Sequence, residues 1–199
     1  MPTAFAADNE WKPVKIGAGG WVTGIEIHPD GTMVARTDTA GAYLWNGAAW
    51  VQLVTAYSMP SGTLSSEGVY ELRIAPSNSN IFYMETNGGV YKSVDRGTTW
   101  TKTAFPTVVM DPNGGNRMDG QKMAIDPNNP NVVFAGTQED GLWVTRDGGT
   151  TWQQITAVPE GTNAGDSGLT GIVIHNNTVY VGTAGNVQHV LPPYPTPGS

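Results

Sequence analysis

Cysteine is absent from the chain, which removes disulfide frameworks, thiolate metal sites and thiol nucleophiles from consideration and leaves the compartment open. Basic residues are scarce: 10 Lys and Arg stand against 17 Asp and Glu, and a formal charge of -7 offers no stripe that could neutralise phosphates. A nucleic-acid partner is therefore not expected, and neutral or cationic partners fit better. No apolar run reaches the roughly 18 residues needed to cross a bilayer, so no membrane partner is expected. Of the three histidines, His28 and His175 fall in turns and His189 at the start of the C-terminal tail, so neither a metal site nor a cofactor is expected.

What the chain does have is enough apolar and aromatic content, over 199 residues, to build a core. At the N-terminus, Ala4-Phe5-Ala6-Ala7-Asp8 carries the small-x-small pattern of a signal-peptidase site. Residues 1–10 read as the tail left after a signal peptide is removed, which predicts a secreted or periplasmic protein.

The main signal is a repeat. Val22 to Ile27, Val69 to Ile74, Gln121 to Ile125 and Leu169 to Ile174 are strand-like, and their final isoleucines recur at spacings of 47, 51 and 49 residues. A period near 50 corresponds to one β-propeller blade per repeat. Each first strand leads through a turn, such as His28-Pro29-Asp30-Gly31 or Asp126-Pro127-Asn128-Asn129, into a second: Met33 to Thr37, Phe82 to Thr86, Val132 to Thr137 and Val179 to Thr183. Third strands begin at Gly41, Gly89 and Gly141, each with an aromatic two residues later.

The blade then ends in Ser93-Val94-Asp95-Arg96-Gly97-Thr98-Thr99-Trp100 and, 52 residues on, Thr145-Arg146-Asp147-Gly148-Gly149-Thr150-Thr151-Trp152. This is the Asp-box pattern. Ser93, Asp95, Thr145 and Asp147 can satisfy backbone N–H groups of a tight turn, Gly97 and Gly149 supply positive φ, and Trp100 and Trp152 plug the blade. Asn46-Gly47-Ala48-Ala49-Trp50 is a degenerate copy. Its occurrence at successive blades marks the pattern as a folding device and not as a catalytic one.

The predicted architecture is all-β, a partial β-propeller of about three and a half four-stranded blades over residues 11–190. The blades fall at about 14–53, 64–104, 117–156 and 165–190, and a Pro-rich tail occupies 191–199. Since propellers close with roughly four to eight blades, the expectation is a fragment completed by a missing C-terminal propeller part or by self-association.

One residue breaks the repeat. After the Thr that closes each second strand come Asp38, Asn87, Gln138 and Ala184, so a charge stands there in one blade alone. Topology places this turn at the propeller mouth, opposite the Asp-box turns, in the usual place for a ligand. Glu67, Asp119 and Asp166 precede first strands on the same rim, and each has an equally plain reading as a solvated carboxylate or turn cap. Paired acids are what glycoside cleavage requires, one to protonate the leaving oxygen and one to activate water. Trp21, Tyr43 and Tyr70 are candidate sugar-stacking aromatics, and Arg36 is a candidate polar contact, although Tyr43 matches Tyr91 and Trp143 as a packing position.

The stretch Ala35-Arg36-Thr37-Asp38-Thr39-Ala40-Gly41-Ala42-Tyr43-Leu44-Trp45 resembles the A-R-T-D-x-G-G-A-Y-R-W segment of the xyloglucanases of glycoside hydrolase family 74, within the BNR-repeat superfamily. Ala18 to Ile25, Gly120 to Asn131 and Asp140 to Trp143 also resemble family segments. The resemblance implies inverting hydrolysis of the β-1,4-glucan backbone of xyloglucan, with Asp38 matching the general base of the first propeller and the partner acid in a second propeller. Thr39-Ala40 and Leu44 depart from the family pattern, which leaves the exact plant polysaccharide open. The alternative is a non-catalytic propeller module that binds carbohydrate or mediates assembly. A sialidase would need clustered arginines, and Arg96 and Arg146 sit in the Asp-box turns on the far rim.

Overall fold

The computed structural model of the protein describes residues 16–17, 19–63, 68–114, 120–158, 168–183 and 188–191. Four antiparallel sheets follow one another along the chain, and no helix occurs among the described residues. Blade 1 comprises β1 (Val22–Ile27), β2 (Met33–Thr37), β3 (Ala42–Trp45) and β4 (Trp50–Gln52). Blade 2 comprises β5 (Glu71–Ala75), β6 (Asn78–Thr86), β7 (Gly89–Ser93) and β8 (Thr101–Lys102). Blade 3 holds β9 (Met123–Ile125), β10 (Val133–Gly136), β11 (Leu142–Thr145) and β12 (Gln153–Gln154). Blade 4 holds β13 (Leu169–His175), β14 (Thr178–Thr183) and β15 (Gln188–Leu191). Each blade is a simple meander, so the chain is a partial β-propeller. β15 runs through Leu191, where the sequence had pointed to the start of the tail; the ladder uses donors that precede the prolines.

Three apolar cores lie between consecutive sheets. Val34 and Leu53 of blade 1 meet Leu72, Ile74, Phe82 and Met84 of blade 2. On its other face blade 2 places Tyr83, Val90 and Phe105 against Met123, Ile125 and Val133 of blade 3. Blade 3 in turn sets Phe134 and Leu142 against Leu169, Ile172 and Val181. The period-2 alternation of each strand thus feeds both faces of a sheet, which is why the strands of central blades carry few outward polar residues.

The two turns singled out in the sequence have one geometry. Ser93 Oγ donates to Asp95 Oδ1 at 2.7 Å and accepts from Gly97 N at 2.8 Å, while Asp95 takes Thr99 N at 2.9 Å and Thr99 Oγ1 at 2.6 Å. Thr145 and Asp147 repeat these contacts with Gly149 and Thr151. Trp100 Nε1 then donates across to Leu53 O of blade 1 at 3.0 Å, and Trp152 Nε1 to Thr103 Oγ1 of blade 2 at 3.2 Å. Each turn therefore ties its blade to the one before. In blade 1 Asn46 Oδ1 replaces the carboxylate and accepts from Ala48 N and Ala49 N.

Near the opposite rim a buried ionic hub joins three blades. Glu71 of blade 2 pairs with Arg36 Nε of blade 1 at 3.0 Å and accepts from Lys122 N of blade 3 at 2.7 Å. Arg36 Nη1 also donates to Tyr70 O at 2.6 Å and to Thr23 Oγ1 at 3.1 Å. Glu85, in register with Glu71, is fully buried with no hydrogen-bond partner for either carboxylate oxygen among the described residues, and burial pushes its carboxyl well above the ordinary Glu range.

Candidate functional site

A threonine stands at the end of the second strand in blades 1 and 2 and directly after it in blade 3, and its hydroxyl shapes the turn that follows. Thr37 Oγ1 donates to Gly41 O and accepts from Ala40 N, both at 2.9 Å; Thr137 Oγ1 does the same with Gly141 O and Asp140 N, and Thr86 Oγ1 accepts from Gly88 N. These turns hold residues 38, 87 and 138 in equivalent places on one rim. The next blade begins beside them. Val69 N donates to Thr37 O at 2.9 Å, and Leu169 N to Thr137 O at 3.3 Å.

Asp38 lines an open cavity of about 250 Å³ on this rim, together with Thr39, Gly68, Asn87, Asp111, Pro112 and Asn113. Its carboxylate is 6% exposed in residue terms, accepts Trp21 N at 2.8 Å through Oδ1, and receives Thr39 Oγ1 at 3.3 Å on the same oxygen. The backbone reciprocates, because Asp38 N donates to Trp21 O at 3.1 Å. The side chain is thereby fixed in direction while it borders the cavity. Two glycines permit this approach. A Cβ on Gly20, whose φ is +88°, would stand 2.6 Å from Asp38 Oδ1; one on Gly68 would strike the Asp38 carbonyl and lie 2.9 Å from Pro112 Cγ.

The opposite wall is a loop from blade 2 to blade 3 that the repeat does not foretell. Asp111 N donates to Gln138 Oε1 at 3.2 Å, and Asp111 Oδ1 accepts Asn113 N at 2.9 Å, so the loop is braced on the third blade's rim turn. Asn87 could have been found in the sequence as the repeat counterpart of Asp38. Asp111 and Asn113 could not, since their one signal is an Asp-Pro-Asn turn triplet that also occurs at Asp126-Pro127-Asn128 in an ordinary blade turn. The lining mixes polar and apolar groups: Asp38, Asp111, Asn87, Asn113 and Thr39 stand with Gly68 and Pro112, a set that can bond hydroxyl groups.

Of the aromatics expected at the mouth, Trp21 is 58% exposed, and its backbone N–H is the donor to Asp38 Oδ1. Tyr43 is buried and donates its hydroxyl to Ala40 O at 2.8 Å, just as Trp143 Nε1 donates to Asp140 O at 3.1 Å. Its place is structural. Tyr70 likewise belongs to the core between blades 2 and 3, with Lys122 Nζ 4.8 Å from its ring centre. Arg36 is engaged in the ionic hub. All three side chains are buried and engaged in packing or charge pairing, and none of them lines the cavity beside Asp38. Glu67, Asp119 and Asp166 lie outside the described residues.

No family model matches the chain. Comparison with individual proteins does find relatives. The chain is 30% identical over 216 residues to a xyloglucanase of Hypocrea jecorina, covering 89% of this chain and 25% of that one. It is 35% identical over 170 residues to the xyloglucanase Xgh74A of Acetivibrio thermocellus, covering 75% of this chain and 19% of that one. Among solved structures, the GH74 enzyme of Niastella koreensis superposes with a TM-score of 0.73 at 29% identity, over 90% of this chain and 31% of the other. The chain is thus similar to xyloglucanases of glycoside hydrolase family 74 over most of its length, and it spans about a quarter or less of the length of the curated relatives it matches.

Proposed function

We infer that this chain, xyloglucanase-like over most of its length, supplies the Asp38-bearing wall of a cleft that hydrolyses the β-1,4-glucan backbone of xyloglucan or a related plant polysaccharide. The observation that carries the reading is the placement of Asp38: a carboxylate oriented by Trp21 N in a residue that lines an open cavity. In this role Asp38 acts as general base, taking a proton from the water that attacks the anomeric carbon from the face opposite the leaving oxygen. Trp21 offers a flat apolar platform for a sugar ring, and Asn87 and Asn113 face its hydroxyls. The leaving oxygen must be protonated by a second acid; Glu67, Asp119 and Asp166 remain candidates, and Asp111 joins them as the second carboxylate of the described cavity. An inverting pair would stand roughly 6.5–9.5 Å apart to leave room for water. The Ala4 to Asp8 stretch supports export, in keeping with a polymeric substrate met outside the cell.

The test is release of reducing ends from xyloglucan by the chain and by Asp38→Asn, which keeps an oxygen to accept Trp21 N and so leaves the turn intact. The expected outcome is a fall of about 10²–10⁴ in rate, the usual worth of a general base, with binding of xyloglucan oligosaccharides retained. Equal rates for both chains rule out the assigned role. Oligosaccharide binding with no hydrolysis by either chain would point instead to the binding-module reading.

A further inference from the structure

An asparagine followed by glycine is open to self-modification, because the glycine nitrogen can reach the asparagine side-chain carbon with no Cβ in the way. The chain has three such pairs: Asn46-Gly47, Asn87-Gly88 and Asn113-Gly114. By sequence they are alike, and the hydrogen bonds around each one set them apart.

Two of the three glycine amides are occupied. Gly88 N donates to Thr86 Oγ1 at 3.0 Å, and Gly114 N to Asp111 O at 3.1 Å. Each bond holds the peptide plane that has to turn before its nitrogen can attack, and keeps the amide proton shared with an acceptor. Gly47 N, in contrast, has no acceptor among the described residues. The carbon it would attack is also prepared. Asn46 Oδ1 accepts from Ala48 N at 2.9 Å and from Ala49 N at 2.8 Å. Two N–H dipoles aimed at a carbonyl oxygen draw electron density from its carbon and stabilise the negative charge that an attack places on that oxygen. Residues 46–49 are exposed, so water reaches the turn.

We propose that Asn46 is a site of self-catalysed deamidation, where the turn of blade 1 converts its own asparagine into the carboxylate that Asp95 and Asp147 supply in the next two blades. Gly47 N gives its proton to hydroxide and bonds to Asn46 Cγ. The Cγ–Nδ2 bond then breaks, the leaving nitrogen takes a proton from water and departs as ammonia, and a cyclic succinimide remains. Water opens the ring, to aspartate where it breaks the bond to Cγ and to isoaspartate where it breaks the bond to the main-chain carbonyl carbon. Nothing is oxidised or reduced; one water enters and one ammonia leaves. The aspartate keeps an oxygen for Ala48 N and Ala49 N, and the chain gains one negative charge beyond its formal -7. Asn87 and Asn113, which line the cavity beside Asp38, are spared by the bonds on their glycines.

Peptide mass mapping of the folded chain, sampled over weeks at mildly alkaline pH, tests the proposal. The peptide bearing Asn46 should gain about 1 Da, at a rate at least about tenfold above those bearing Asn87 and Asn113. In denaturant, where no turn exists, the three pairs should react at similar rates. Thr86→Val removes the hydroxyl that holds Gly88 N and should bring Asn87 up toward the rate of Asn46. Asn46→Asp should show from the start the acidic shift in isoelectric focusing that the parent acquires with time. An Asn46 peptide that stays unchanged, Asn87 or Asn113 converting as fast as Asn46 in the folded chain, or the same ranking in denaturant overturns the proposal.

Discussion

At the scale of the residue, two side chains carry tests independent of the enzyme assay. Gly20 holds a positive φ of +88° and leaves no room for a Cβ beside Asp38 Oδ1 and Thr39. Gly20→Ala should therefore displace the carboxylate from the cavity, and xyloglucan hydrolysis is expected to fall about as far as in Asp38→Asn, with a melting loss of only about 1–2 kcal/mol. Activity unchanged in Gly20→Ala would mean that the Trp21 hydrogen bond does not set the site. Glu85 makes a prediction about pH. Burial, followed by the neighbouring charge of Glu71, raises its folded carboxyl well above the ordinary Glu range, and Lys122, Arg36 and Arg73 oppose the rise. The folded state then holds a proton that the unfolded state has released, so stability is lost as pH climbs above the ordinary Glu range. Glu85→Gln should melt near the parent at pH 4 and progressively above it toward pH 8. Parallel melting curves across that range would contradict the buried, protonated state.

At the scale of the element, the turns at Ser93 to Trp100 and Thr145 to Trp152 behave as modules. Hydrogen bonds from Thr151 hold the Asp147 carboxyl down at about 2, below the ordinary Asp value of 3.8. Such a group stabilises the fold above its unfolded pKa, and the contribution fades as pH falls through its folded one. Asp147→Asn should consequently flatten the acid limb of the melting profile between pH 4 and 2, readable by differential scanning calorimetry, and an unaltered limb would remove the turn from the account of acid stability. The sequence announced these elements because a hairpin this tight demands a hydroxyl, a carboxylate and a positive-φ residue at set spacings. In the first turn Arg96 takes a positive φ of 59° that Gly148 takes in the second, a difference tolerated because Arg96 also bonds Asn80 and Asp30.

At the scale of the whole molecule, the arc is a one-dimensional stack in which each blade rests on its neighbours. Blades 2 and 3 are packed on both faces and joined by the Glu71 hub, while blade 4 packs on one face among the described residues. Hydrogen exchange should accordingly protect the amides of β6 and β10 more strongly than those of β14. Equal protection across the three strands would show that the stack opens as a single cooperative unit.

The sequence by itself determined the repeat, the strand order within each blade, the two turn modules and the rim on which Asp38 stands, because all of these follow from local alternation, turn chemistry and a fixed period. Only the tertiary structure decided which side chains face a neighbour and which face the cavity. Alternation assigns Arg36 and Tyr43 to opposite faces of the blade 1 sheet, but whether a face meets solvent or another blade depends on distant residues, such as Glu71, which pairs with Arg36 and accepts from Lys122 N. The loop bearing Asp111 and Asn113 was settled in the same way: it lies outside the period, its own hydrogen bonds shape the turn, and its bond to Gln138 ties it to the rim of the third blade.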